Sequence, residues 1–268
     1  MGTHRSPSFV NDPSHPSLGP RRERSNCGVG VLMDLDGETS HAMVEEGLGV
    51  LERLDHRGAR GAEPNTGDGA GILIQKPHAF FQDVVPGLRD ADSYGVGQFF
   101  LPPDGSVQQA LRDFIDRRVR AEGFEPIAWR DVPTDASDLG PTARATEPDV
   151  WQLFVRSTDA VSPETLDTQL YVLRRLIEND VADSDLEDSE IFYVCSLDRR
   201  KIVYKGLLTN EQVRTYYPEL SDDRVRSTLA LVHSRFSTNT LGAWRLAHPF
   251  RSVIHNGEVN TLRGNLNW

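Results

Sequence analysis

The chain has 268 residues, 38% of them hydrophobic, enough for a substantial domain with its own core. Its formal charge of −11 disfavours a nucleic-acid partner, because neutralising phosphates takes clustered Lys and Arg, and the densest basic run is only Arg21-Arg22-Glu23-Arg24. No window approaches the ~18 apolar residues of a membrane span, no secretory core opens the chain, and two cysteines allow at most one disulfide, so the expected setting is the reducing cytoplasm without membrane contact.

Residues 1–26 carry Pro7, Pro13, Pro16 and Pro20 and few large apolar side chains, and read as a disordered leader. CGVGVLMD, from Cys27, reads as a strand. Ser40 is placed to cap a helix along Met43, Gly47, Leu51 and Leu54 that ends near Gly58. The glycine-dense LDHRGARGAEPNTGDGAGIL follows; its density implies tight turns or backbone passing close to something, and a surface loop is the plainer alternative. Strands are expected at 72–75, 94–101 and 151–157. Residues 106–123 predict a helix capped by Ser106, apolar at Val107, Leu111, Phe114 and Ile115, and stopped by Gly123. A second helix starts at Ser162-Pro163 and buries Leu166, Leu170, Leu173 and Ile177; between the two, Pro133 to Pro148 reads as a long loop. IFYVCSLD and KIVYKG, joined by Arg199-Arg200, read as a hairpin. TNEQVRTYY forms a short helix, STLALVHSRFST and FRSVIHNGE two more strand-like runs, and EVNTLRGNLNW starts a helical pattern still running at Trp268, as in the front part of a longer protein. The pattern predicts an α+β fold with largely antiparallel sheets.

Cys27 raises a chemical question. A thiol is mostly protonated at neutral pH, so a catalytic cysteine needs a base beside it. Cleavage between Asn26 and Cys27 would supply one, the cysteine's own α-amine, whose reference pKa of ~7.7–8.0 suits that role. Gly28 and Gly30 would then let a substrate approach closely. The plain alternative is a half-buried free cysteine, which also fits Cys195 in its apolar run. GVG is no nucleotide loop, since the third glycine of G-x-G-x-x-G is replaced by Met33, and no spacing of the eight histidines or two cysteines makes a metal motif. Arg235 at a strand end offers a planar fork for a carboxylate, or is a surface arginine. Asn256 and the Gly257 N–H point to an oxyanion site before a helix, or to a simple Asn-Gly turn.

Taken in order, CGVG after a short leader, LDHRGARGAEPNTGDGAGIL, HSRFSTNT and HNGEVNTLRGNLNW resemble the amino-terminal glutaminase domain of glutamate synthase large chains over residues 24–268. The cysteine, HSRFST and HNGE motifs are similar to class II glutamine amidotransferases in general, and the GDGAGIL and TLRGNLNW stretches to glutamate synthases in particular. The resemblance implies a four-layer αββα sandwich of the N-terminal nucleophile hydrolase type over residues 27–268, incomplete at its C-terminus, with residues 1–26 removed as a propeptide. It implies Cys27 as nucleophile, Asn256 and Gly257 as oxyanion stabilisers, Arg235 on the substrate α-carboxylate, and Phe236, Thr238 and His248 lining a glutamine pocket. Phe236 stands where many amidotransferases have tryptophan, which keeps an apolar wall and loses an indole N–H. An aspartate that the family uses for the substrate α-amino group would fall beyond Trp268. No cofactor or metal is expected in this chain; FMN, an iron–sulfur cluster and amination of 2-oxoglutarate are implied for a synthase region, with ferredoxin or a pyridine-nucleotide-dependent small subunit as electron source. Another class II amidotransferase and a non-catalytic glutamine-binding fragment stay open as alternatives.

Overall fold

A computed structural model describes residues 27–60, 63–237, 241–251, 253 and 255. Strand β1 (Gly28–Met33) starts directly after Cys27. Ser40 caps α1 (His41–Arg53), accepting the Met43 N–H at 3.2 Å. The helix buries Val44, Gly47, Leu48 and Leu51, and a separate 3-10 turn over Asp55–Arg57 fills the distance to Gly58. Next come β2 (Ala70–Gln75), α2 (His78–Val84), β3 (Gly95–Leu101) and α3 (Gly105–Ala121). The cap of α3 is Asp104 rather than Ser106: its carboxylate accepts the N–H groups of Ser106 and Val107 at 2.9 and 3.1 Å, which sets the cap two residues earlier. Gly123, at φ 77, ends the turn after α3 as expected.

Strand β4 (Phe124–Asp131) was not anticipated. Pro126 lies in it, and the register shifts between Pro126 and Ala128, so a bulge on an edge strand breaks the alternation that sequence reading relies on. The long loop expected from Pro133 contains a short α4 (Pro141–Ala145). After β5 (Asp149–Ser157), α5 (Pro163–Ala182) follows, its cap Ser162 accepting the Thr165 N–H and its buried stripe as expected. The chain continues through β6 (Tyr193–Asp198), β7 (Lys201–Gly206), α6 (Gln212–Tyr216) and β8 (Leu229–Ser234).

Among the described residues all strand pairs are antiparallel, in two four-stranded sheets of order β1-β8-β2-β7 and β4-β5-β3-β6. The expected β6–β7 hairpin is therefore corrected: β6 pairs with β3 and β7 with β2, and Arg199-Arg200 carries the chain from one sheet to the other. Both strands are buried along nearly their whole length, so neither has an alternation that names a partner, and the link lacks the Gly or Asn of a tight hairpin. Asp198 Oδ1 accepts the N–H groups of Arg200 and Lys201 at 2.7 and 3.2 Å and rounds this corner.

Helix α1 covers the outer face of the first sheet, and α3 with α5 the outer face of the second, so the molecule has the four αββα layers. A Cβ on Gly47 would lie 2.5 Å from that of Ala230, a measure of how tightly α1 sits on β8. The glycines of β1 serve the same packing. Added Cβ atoms would meet Leu54 and Arg57 at Gly28 and Val50 and Val232 at Gly30, so the room expected there for a substrate is filled by α1, the turn that follows it and β8. Between the sheets, Arg130 donates to Glu219 at 2.6 Å and to Gln152 at 2.8 Å, and the Tyr204 hydroxyl donates to Glu219 at 2.6 Å, locking the two layers in one alignment.

Candidate active site

The chemistry-bearing side chains gather at one end of the first sheet. Ser234, the last residue of β8, faces Gly28 on one side and Ala70 on the other. One residue further, Arg235 donates its N–H to Gly69 O at 2.8 Å, and Cys27 precedes Gly28 on the other side. The Cys27 sulfur accepts the Phe236 N–H at 3.4 Å and lies 3.5 Å from Phe236 O. Only 5% of Cys27 is exposed, and Arg235 is buried as well. Phe236 thus acts on the thiol through its main chain, whatever its ring contributes.

The glycine-dense stretch folds against this same strand end. Ala59 donates to Arg235 O at 3.3 Å, Asp68 donates to Ala59 O at 3.0 Å, and Arg60 bridges to Gly67. This loop brings in Asp68, a residue that sequence reading passed over. Arg235 Nη1 donates to its carboxylate and, at 3.2 Å, to its main-chain oxygen, while Ser237 N–H donates to Asp68 Oδ2 at 2.7 Å. The signal was an acid set between two glycines, Gly-Asp-Gly, where the backbone approaches closely enough to aim it.

Burial pushes the Asp68 carboxyl up from its ordinary 3.8 to about 6, against the pull of Arg235 and of the Ser237 N–H. The folded state therefore holds this proton more tightly than the unfolded chain does, and stability falls as pH rises from about 4 to about 6. Asp68→Asn, which mimics the protonated form, is expected to raise the melting temperature at pH 8 by a few degrees. The gain should fade between pH 6 and pH 4, and Arg235 should lose its fixed orientation. Thermal melts across this range check it; a variant less stable than the parent at pH 8 would instead make the ion pair a net stabiliser.

Three histidines form the adjoining wall. His233 lies on β8, two residues before Arg235, which follows the strand end. Its ring stacks on His248 at 4.3 Å, and His248 meets His255 edge-on at 4.7 Å and Phe250 at 3.9 Å. Burial pushes His233 down to about 4 and His248 to about 2, reinforced by the other imidazoles and Arg235. Both are neutral in the ordinary working range. Lys205, buried beneath, donates to Ala247 O at 2.7 Å and Arg245 O at 3.1 Å, anchoring the segment that carries His248; burial pushes its ammonium down to about 7.

Of the residues singled out from sequence, Cys27, Arg235 and Phe236 are in one place, and His248 adjoins them across Gly69 and Gly71. Thr238, Asn256 and Gly257 lie outside the described residues, as do the leader and the helical pattern after Glu258. Cys195 is fully buried in the core, its thiol pushed up to about 12. Among the described residues no group of three or more His, Cys, Asp or Glu is placed to hold a metal, and no helix is long and apolar enough to cross a membrane.

A thiol at the head of a strand, held by the main chain just past the end of its neighbour and close to a buried arginine, sits in an αββα sandwich. The family model of class II glutamine amidotransferases matches residues 27–268, and the chain belongs to that family. Within it, the chain is homologous to glutamate synthases. It is 42% identical over 256 residues to the glutamate synthase [NADPH] large chain of Azospirillum brasilense and 42% over 252 residues to that of Bacillus subtilis. It is 39% identical over 250 residues to the ferredoxin-dependent glutamate synthase 2, chloroplastic, of Arabidopsis thaliana. These alignments cover 92–94% of the chain and 15–17% of the relatives, so the chain spans about a sixth of their length.

Proposed function

We propose that this domain hydrolyses glutamine to glutamate and ammonia through a thioester on Cys27. With residues 1–26 removed, the Cys27 α-amine takes the thiol proton, and the thiolate attacks the side-chain carboxamide carbon. The resulting oxyanion is stabilised by the Asn256 amide and the Gly257 N–H. Collapse breaks the C–N bond as the amine passes its proton to the departing ammonia, and water then hydrolyses the γ-glutamyl thioester to free glutamate and regenerate the thiol. Arg235 holds the substrate α-carboxylate, with Asp68 fixing one edge of the guanidinium, and Phe236, Thr238 and His248 bound the glutamine pocket.

The observation that carries this reading is the seat of Cys27: a buried thiol at the first position before β1, beside Arg235 and within hydrogen-bond reach of the Phe236 main chain. In the intact protein the ammonia is passed to 2-oxoglutarate in a synthase region holding FMN and an iron–sulfur cluster. Ferredoxin or a pyridine-nucleotide-dependent small subunit supplies the electrons, in keeping with the NADPH and ferredoxin named for the relatives. Intact-mass measurement of active protein tests the nucleophile: the chain is expected to begin at Cys27, and a glutamine-like diazoketone to alkylate Cys27 and spare Cys195. Active protein that still carries residues 1–26 would overturn the mechanism.

A further inference from the structure

We propose that His233 is a positioning residue for the oxyanion side of the site, holding the main chain at His255, one residue before Asn256. The inference rests on the glutaminase reading above and assigns a task to the histidine of HSRFST.

The hydrogen-bond chemistry leaves one arrangement for this ring. His255 O can only accept, so the hydrogen on the 2.9 Å contact belongs to His233 Nε2. The ring is then neutral, with its lone pair on Nδ1, a buried atom without a hydrogen-bond partner among the described residues. A proton on Nδ1 would be an unpaired buried charge, facing His255 and Arg235 and stacked on His248, itself above Lys205. None of these neighbours offers a carboxylate. A fixed tautomer on a central strand is a rigid donor, and β8 is held on both sides by β1 and β2. The same strand therefore sets two groups at once: Arg235 at its end and, through His233, the chain segment that arrives from His248 and Phe250. The stack on His248 keeps the ring plane from rotating, so the Nε2–H direction is defined by packing as well as by the bond.

The test uses two amide side chains of unequal reach, in the intact polypeptide. The amide nitrogen of Gln falls near the position of Nε2, and that of Asn near Nδ1. His233→Asn is expected to lower kcat for glutamine hydrolysis by about 100-fold, the cost of misplacing a catalytic group by roughly an ångström, with KM for glutamine within about threefold of the parent. His233→Gln is expected to restore kcat to within about threefold. Equal losses in the two variants, or a rise in KM with kcat unchanged, would overturn the proposal, the second by making His233 a part of the glutamine pocket. If His233→Asn is unfolded at the assay temperature, His233→Gln decides alone, and a loss beyond about tenfold counts against it. Asn256→Ala, expected to lose ~10²–10³, separates the two levels. Full activity in that variant would remove the oxyanion assignment itself, whereas a slow Asn256→Ala beside an unaffected His233→Asn would remove only the role of His233.

Discussion

Cys27→Ala is expected to abolish glutamine hydrolysis, by ~10⁴-fold or more, the scale seen when a nucleophile is removed from a catalytic unit. The fold should remain, because the substitution removes one sulfur atom and its hydrogen bond with the Phe236 N–H, while Gly28 next to it stays paired with Ser234 on β8. The contrast is Cys195. It lies on β6 in the core between the sheets, where burial pushes its thiol up to about 12, so it is neither ionised nor reachable. Cys195→Ala should cost stability by about 1 kcal/mol through lost packing and leave kcat for glutamine unchanged. Glutamate release measured on both variants checks this pair. Residual turnover near the parental rate in Cys27→Ala would remove covalent catalysis at this residue.

The second large effect is structural and reaches the site from behind. A Cβ on Gly67 would stand 2.0 Å from Leu208 O, 2.3 Å from Leu208 C and 2.5 Å from Thr209 N. All three are main-chain atoms and cannot rotate aside. Gly67→Ala is therefore expected to force the chain around Gly67 off the 208–209 segment, at a cost of about 3 kcal/mol. Because Asp68 is the next residue, its contacts to Arg235 and the Ser237 N–H should be lost with it, raising KM for glutamine as well as lowering the melting temperature. Gly49→Ala is the matched control: nothing lies within 4 Å of its added Cβ in α1, so a gain of ~0.5–1 kcal/mol is expected from helix propensity. An unchanged melting temperature and KM in Gly67→Ala would mean that the loop does not depend on this contact.

Much of the architecture was legible because its causes are local. Ser40 and Ser162 cap their helices within three residues, and α5 shows its buried stripe in the spacing of Leu166, Leu170, Leu173 and Ile177. The misreadings share a cause too. Asp104 and Ser106 are both good caps, and only the backbone angle at Asp104 decides between them. The bulge after Pro126 hid β4, and strands buried on both faces gave no clue that β6 and β7 part company at Arg199-Arg200.

The candidate site divides in the same way. Sequence by itself determined the chemistry available: a thiol at position 27, an arginine fork at a strand end, and histidines at 233, 248 and 255. These follow from residue types and from segments short enough to read in one window. Only the tertiary structure decided what each group is aimed at. Asp68 reaches Arg235 across 167 positions of chain, and the Phe236 N–H reaches the Cys27 sulfur across 209. His233 binds a carbonyl 22 residues on and stacks against a ring from a separate segment. Such pairings depend on the order of strands in a sheet, and that order is set by burying both faces of the sandwich at once, a condition that no local stretch of sequence contains.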